Sequence, residues 1–324
     1  GESMAAAIGT RAMRALPFGV PKVLLSTVVA GNTRPYVGGA DIAMIYPVVE
    51  IAGLNRISTT VLANAANALA GMVCGKALPQ LEEKLVVSTT GFGLTAGVAD
   101  AARLRLEELG YEVLAFHATG TGGDSMEAMI RSGLIKGVLD ATTSELVDLV
   151  AGGVCASSPN RLEGAGAMGI PQVVSLGALD MVNFGPSSSV PAHYRDRHLL
   201  RHTAAVTLMR TSPDECVTVG RLIADKLNHA RGPITVMIPL RGFSGLDAGG
   251  GAFEDPIADQ ALIEAVCGGL APWIDVVKLD SHINDPGFGR AMADRLHRSL
   301  RRHGTEIGDS PVAVGGADDA ERSG

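Results

Sequence analysis

Aromatic residues are scarce in this chain: 7 Phe, 4 Tyr and 1 Trp make up 4% of 324 residues. Large rings therefore do not build the core. Hydrophobic residues at 46%, with 41 glycines, point instead to packed Ala, Val, Leu and Ile threaded by tight turns. Cysteine is also rare, and Cys74, Cys155, Cys216 and Cys267 stand far apart without a CxxC spacing. That pattern argues against a disulfide framework and a zinc site, and it reads as reduced thiols in a cytoplasmic protein. No uninterrupted apolar run of about eighteen residues and no basic, apolar leader occurs, so neither a membrane span nor a secretion signal is expected. Basic residues are outnumbered, 27 against 34 acidic ones for a net charge of −7, which argues against nucleic-acid binding. The basic runs Arg195 to Arg201 and Arg295 to Arg302 read as solvated helix faces. No metal-ligand cluster stands out. The phosphate-gripping GxxxxGK[ST] loop is missing, as is a GxSxG nucleophile elbow.

What is present is an alternation of short apolar β-prone runs with longer helical ones. Strands are expected near 22–27, 84–89, 111–116, 137–141, 171–175, 233–238 and 273–279. Helices are expected near 56–74, 95–109, 123–132, 143–151, 213–229, 257–270 and 287–302. This order predicts an α/β protein with mostly parallel sheets covered by helices on both faces. The runs KVLLS, KLVVS, GVLDA, PQVVS, ITVMI and IDVVK are apolar throughout, as suits strands buried on two faces. Residues 75–84, with a glycine, a proline and a charge run, form the expected linker, and the tail from 304 to 324 is expected to be disordered.

The richest single segment is YEVLAFHATGTGGDSMEAMIRSG, residues 111–133, which reads as a strand turning through glycines into a helix. Gly120, Thr121, Gly122 and Gly123 would there present backbone amides at a helix start, a ready place for an anion, with Asp124 or Thr121 as cap. Without a guest, it is simply a glycine-rich turn. The loop after the first strand carries Asn32, Thr33 and Arg34, and Arg34 suits either a two-point grip on carboxylate or phosphate or a salt bridge at a domain seam. His117 and His282 both follow strands, where an imidazole could move a proton or play a purely structural part. Asp180 follows another strand, with Asn183 and Ser187 placed on its following loop. Thr142 and Glu145 form a T-x-x-E capping pattern, and Asp285 precedes Pro286 at a helix start. Cys155 has no base beside it. GAGAMG, residues 164–169, matches a dinucleotide fingerprint by letter, but it runs into a strand instead of opening a helix. At the carboxyl edge of a parallel sheet these groups would converge on a crevice.

Several motifs in order, among them VPKVLLSTVVAGNTRPYVGGADI, FHATGTGGDSMEAMIRSG, GVLDATTSELVDLVAGG, VVSLGALDMVNFGP, LMRTSPDE and SHINDPGF, resemble one family. It is that of the amino-terminal inhibitory region of the tomato mosaic virus (tobamovirus) resistance protein and its uncharacterised bacterial and fungal ATP-binding-domain relatives. The likeness covers about Arg11 to Leu300. It implies two Rossmann-like, three-layer, doubly wound domains, nucleotide binding in at least the plant member, and self-association as a homo-oligomer. Such relatives carry a GGSGGT-like turn ahead of the helix ending in AMRALP, where this chain has Gly1, Glu2, Ser3, Met4 and Ala5. The resemblance therefore implies an incomplete first domain over residues 1–80, a second over 81–303, and an ATP site lacking one wall. The expected function is an enzyme or enzyme subunit binding a small anionic metabolite or nucleotide, its reaction class (lyase, hydrolase or phosphoryl chemistry) open. The alternative is a non-catalytic ATP-binding module that presents a protein-interaction surface.

Overall fold

The computed structural model describes residues 2–75 and 84–304. Most of the expected linker, and all of the expected tail beyond Gly304, lie outside the described residues.

Residues 2–75 form helix α1 (Glu2–Arg14), strand β1 (Val23–Leu25), the short helix α2 (Arg34–Val37), strand β2 (Ala43–Ile45) and helix α3 (Arg56–Cys74). β1 and β2 pair in parallel as a two-stranded sheet. α3 starts where Asn55 accepts hydrogen bonds from the amides of Ile57 and Ser58, while the Ser58 hydroxyl accepts from the Asn55 amide. Only Ser58 and Ala65 of this helix are buried. By length and composition alone it is the one helix among the described residues that could cross a membrane. Thr59, Thr60, Asn64 and Asn67 interrupt its apolar residues, so the helix contains no long unbroken apolar run.

Residues 84–304 continue with β3 (Val86–Gly91), α4 (Ala96–Glu108), β4 (Glu112–His117), α5 (Thr121–Arg131), β5 (Gly137–Thr142), α6 (Ser144–Ala151), α7 (Gly164–Met168) and β6 (Gln172–Gly177). Then come β7 (Met181–Phe184), β8 (Leu199–Arg201), β9 (Thr207–Arg210), α8 (Pro213–Asn228), β10 (Ile234–Pro239), α9 (Pro256–Gly269), β11 (Asp275–Leu279) and α10 (Pro286–Arg302). Six of these strands make one wholly parallel sheet in the order β11-β10-β6-β5-β3-β4. The pleat sorts neighbouring residues onto opposite faces. Val87, Leu139, Val173 and Met237 pack with Leu106 of α4 and Met292 and Leu296 of α10. Their neighbours Val174 and Val236 pack with Ile223 of α8 and Leu262 of α9, and Val138 packs with Met126 and Ile130 of α5. The result is the three-layer, Rossmann-like α/β architecture expected from the alternation.

The two edge strands behave differently from the centre. β5, β6 and β10 are buried throughout, whereas Asp275, Val276 and Lys278 of β11 are exposed. The apolar reading of IDVVK thus overstates its burial, because an edge strand lacks a neighbour on one side.

Between β6 and α8 the chain inserts an antiparallel sheet in the order β7-β9-β8. This corrects two expectations. Asn183 lies within β7, not on a loop, and the basic run from Arg195 leads into β8 instead of lining a helix. GAGAMG forms α7 and its glycine cap, Gly169 at φ 71°, immediately ahead of β6.

Candidate functional site

In a sheet of this order the chain reverses direction between β3 and β5, and a crevice outside their carboxyl ends is the usual place for a ligand. Here the chain fills that place itself. Thr90 of β3 donates to Asp140 of β5 at 2.8 Å, and Thr95 and Thr142 share a 2.7 Å hydrogen bond. Arg161, fully buried, donates to both oxygens of Asp140 at 2.5 and 2.8 Å and, through Nε, to Glu145 at 2.6 Å. Burial opposes a charged guanidinium, but Asp140 and Glu145 outweigh it and hold its proton far above the usual range.

The β4–α5 junction has the amide-lined turn foreseen for it. Gly120 adopts φ 88°, which a side chain would strain. Gly122 must lack a side chain because its Cβ would drive into the backbone of His117. An anion does rest on these amides, and it belongs to the chain: Glu145 Oε1 accepts from Gly120 N at 2.5 Å and Gly123 N at 3.1 Å. Burial pushes the Glu145 carboxyl up, while Arg161 and the Gly120 amide pull it down; the net shift is upward. Two capping expectations are corrected as a consequence. Thr142 and Glu145 form no capping box, since Glu145 turns to α5 and α6 begins after Thr143 without a side-chain cap. Neither Thr121 nor Asp124 caps α5; its cap position is Gly120, and Asp124 accepts from Ser158 N at 2.9 Å instead.

Beside this turn the loop between β1 and β2 closes on α5. Asn32, Thr33 and Arg34 line a cleft of about 550 Å³ together with Thr121, Ser125 and Met129. Through Phe18 and residues 38–41 it runs into a wider one of about 950 Å³ that Arg14, Asp124, Glu127 and Arg131 border. Gly39 lies against the backbone of Ser125, where a Cβ would come within 2.8 Å of its Cα. The Arg34 guanidinium lies over Gly120 and donates to the carbonyl of Ala156. No salt bridge at a domain seam engages it among the described residues. The acids of the cleft are all engaged: Asp41 by Lys22 at 2.6 Å and Gly19 N, Asp124 by Ser158 N, and Glu127 by Arg131 at 3.0 Å and the amides of Leu162 and Gly164. Arg14 and Arg34, by contrast, face no carboxylate partner among the described residues.

The expected proton-transfer groups do not join them. His117 ends β4 and His282 follows β11, the two opposite edges of the sheet. His117 is exposed, with Nδ1 3.2 Å from the Gly91 carbonyl. His282 accepts from Asn284 N at Nδ1 (3.1 Å) and its Nε2 lies 2.9 Å from the Ser244 carbonyl, so both nitrogens are engaged. Asp180 is wholly buried, accepting from the Ser244 hydroxyl at 2.7 Å; burial, reinforced by nearby Asp247, lifts it to about 7. Asp285 is the first residue of α10's cap but turns back to His282 N at 2.8 Å. Burial and the charges of Asp148 and Glu145 push the Cys155 thiol up to about 12, which makes it a poor nucleophile.

The residues that sequence reasoning did not single out are Arg161, which plugs the crevice, and Arg210 with Asp247 and Asp259, a second buried charged cluster. Nothing in the spacing of SSPNRLEG marks its arginine as buried. A lone charged residue announces its burial only once its partners, here 16 and 21 residues away, are in place.

Comparison with known proteins gives two family matches along the chain. Residues 1–78 match the N-terminal domain, and residues 84–300 the C-terminal domain, of an uncharacterised protein family, UPF0261. A UPF0261 protein of Clostridium tetani is 50% identical over 304 residues, covering 93% of this chain and 75% of its own length. One from Mesorhizobium japonicum is 45% identical over 302 residues, 91% of this chain and 74% of the relative. The ToMV resistance protein Tm-1(GCR237) of Solanum lycopersicum is 43% identical over 290 residues, 87% of this chain but 38% of the tomato protein. The chain therefore belongs to the UPF0261 family, which the tomato resistance protein resembles over the same stretch.

Proposed function

We propose that this chain binds a small anionic ligand, a nucleotide such as ATP or a phosphorylated or carboxylated metabolite, in the cleft between residues 14–41 and helix α5. One observation carries the reading: the cleft's carboxylates are all satisfied while Arg14 and Arg34 have no carboxylate partner among the described residues, so the charge left to offer is positive. Thr121 and Thr33 add hydroxyls on its wall, and volumes of about 550 and 950 Å³ suit a metabolite or a nucleotide. The amides of Gly120 and Gly123 are not part of this offer, because Glu145 holds them.

This reading favours a binding module over an enzyme. His117 and His282 line neither part of the cleft and Asp180 is wholly buried, so none of the three supplies it a proton carrier. Calorimetric titration with ATP, then with small dicarboxylates and phosphorylated acids, tests it. Replacing Arg34 by Ala is expected to weaken binding of the responding ligand at least tenfold, about 1.4 kcal/mol. Affinity untouched by Arg34→Ala and Arg14→Ala would remove the cleft from consideration. Conversion of a bound ligand to product would restore the enzyme reading.

A further inference from the structure

A second region draws on residues that the cleft does not use. Between β10 and α9 the chain runs through residues 241–255 without regular secondary structure and with five glycines, 242, 245, 249, 250 and 251. This strap crosses the carboxyl edge of the sheet. Gly245 N donates to Leu94 O at 2.8 Å, the Phe243 carbonyl accepts from Ala178 N at 2.8 Å, and the Gly242 carbonyl accepts from Ile283 N at 3.1 Å. Phe243 and Phe253 are buried beneath it.

Its polar anchor is Asp247, only 2% exposed. One oxygen of Asp247 accepts from Phe243 N at 2.8 Å, and the other faces the same Arg210 guanidinium nitrogen as the carboxyl of Asp259 in the first turn of α9. Charged and titratable groups face this pair from several elements, the buried Cys216 thiol of α8 among them. From β9 comes Arg210, which donates to Asp259 at 2.5 Å and stands 3.8 Å from Asp247. Past β6 lies Asp180, bound to Ser244 of the strap. From the segment after β11 comes His282, whose Nε2 lies 2.9 Å from the Ser244 carbonyl and whose positive charge would favour the ionised form of Asp247. Asp255, at the cap of α9, spends its carboxylate on the amides of Ile257 and Ala258. Three carboxyls thus share one guanidinium. One guanidinium cannot balance three carboxylates in so dry a place, so one of the two carboxyls crowded onto it keeps a proton.

We propose that a proton shared by Asp247 and Asp259 latches the strap 241–255 onto α9, and that loss of this proton releases the strap from the carboxyl edge of the sheet. Opening carries a low penalty there, because several buried polar atoms beside the strap have no partner among the described residues when it is closed: Asp180 Oδ1, Arg210 Nε, Ser281 Oγ and Asn284 Oδ1. Water admitted by opening would satisfy them. Burial and the neighbouring Asp247 charge lift Asp259 to about 7, so the latch is complete in acid and is lost as pH rises through neutrality.

Hydrogen exchange of the strap amides at about pH 6 and about pH 8.5, corrected for the intrinsic chemistry of exchange, tests the latch. In the wild-type chain, protection of residues 242–254 is expected to fall at least tenfold at the higher pH. In Asp259→Asn the side-chain amide donates to Asp247 at every pH, and protection is expected to persist. Wild-type protection that does not change, or an equal loss in the Asn variant, overturns the proposal. Infrared spectra of the wild-type protein give a test that needs no variant. A protonated-carboxyl band is expected at about pH 6 and its loss by about pH 8.5, and its absence at the lower pH overturns the proposal equally.

Discussion

At the scale of single residues, the decisive pairing is Glu145 with the amides of Gly120 and Gly123 and with Arg161. All four are buried, and each satisfies a group that would otherwise be stranded. Glu145→Ala is expected to lower the unfolding free energy in urea by about 3–5 kcal/mol, since it leaves a buried guanidinium short of one partner and two amides bare. Glu145→Gln, which keeps an acceptor on the amides, is expected to cost less. Equal and small losses in both would mean that water replaces the carboxylate. The glycine cluster announces a turn with close backbone approach, and the structure has one at Gly120 to Gly123. Its occupant could not be read, because Glu145 arrives from 22 to 25 residues downstream and fits a helix-capping pattern just as well. Arg34 is visible in the sequence as a residue suited to anions, while only the tertiary structure leaves it without a carboxylate partner among the described residues.

At the scale of elements, the long helices and central strands follow from local pattern. Ser212, Pro213 and Glu215 start α8 as a complete capping box: the serine hydroxyl accepts from Glu215 N, and Glu215 reaches back to Ser212 N at 2.7 Å. Ser212→Ala is therefore expected to destabilise the protein by about 1 kcal/mol, read from the midpoint of urea unfolding. No change would mean that α8 is held by its packing against α9 and the sheet alone. The antiparallel sheet β7-β9-β8 escaped notice for a physical reason. Its strands are three or four residues long, too short to show a period, and only pairing with one another makes them strands. β11 was recognisable as a strand but not as an edge, because sheet order is a property of the crossovers and not of the segment.

At the scale of the whole molecule, charge buried far from solvent couples stability to pH. Burial lifts both Asp180 and Asp259 to about 7, aided in each case by Asp247. A carboxyl with a folded pKa above its unfolded value near 4 binds more protons in the folded state. Its contribution is complete below that value and declines as pH rises through about 7. The unfolding free energy is accordingly expected to be lower at about pH 8 than at about pH 5 by about 1–3 kcal/mol, by urea denaturation across that range. A flat or rising profile would show that these carboxyls ionise freely in the folded protein.

Taken alone, the order of apolar runs, caps and glycine turns determined that this is a layered α/β protein with a mostly parallel sheet, because those signals act over a few residues and each is complete within its own segment. It also determined which motifs tie the chain to its relatives. Only the tertiary structure decided which polar groups meet. His117 and His282 went to opposite edges of the sheet, Glu145 took the amides that looked open to a guest, and the uncommitted charge fell to Arg14 and Arg34. The reason is that a charge can be buried only beside its partner. Such partners come from distant parts of the chain, brought together by sheet order and crossover, which no local pattern encodes.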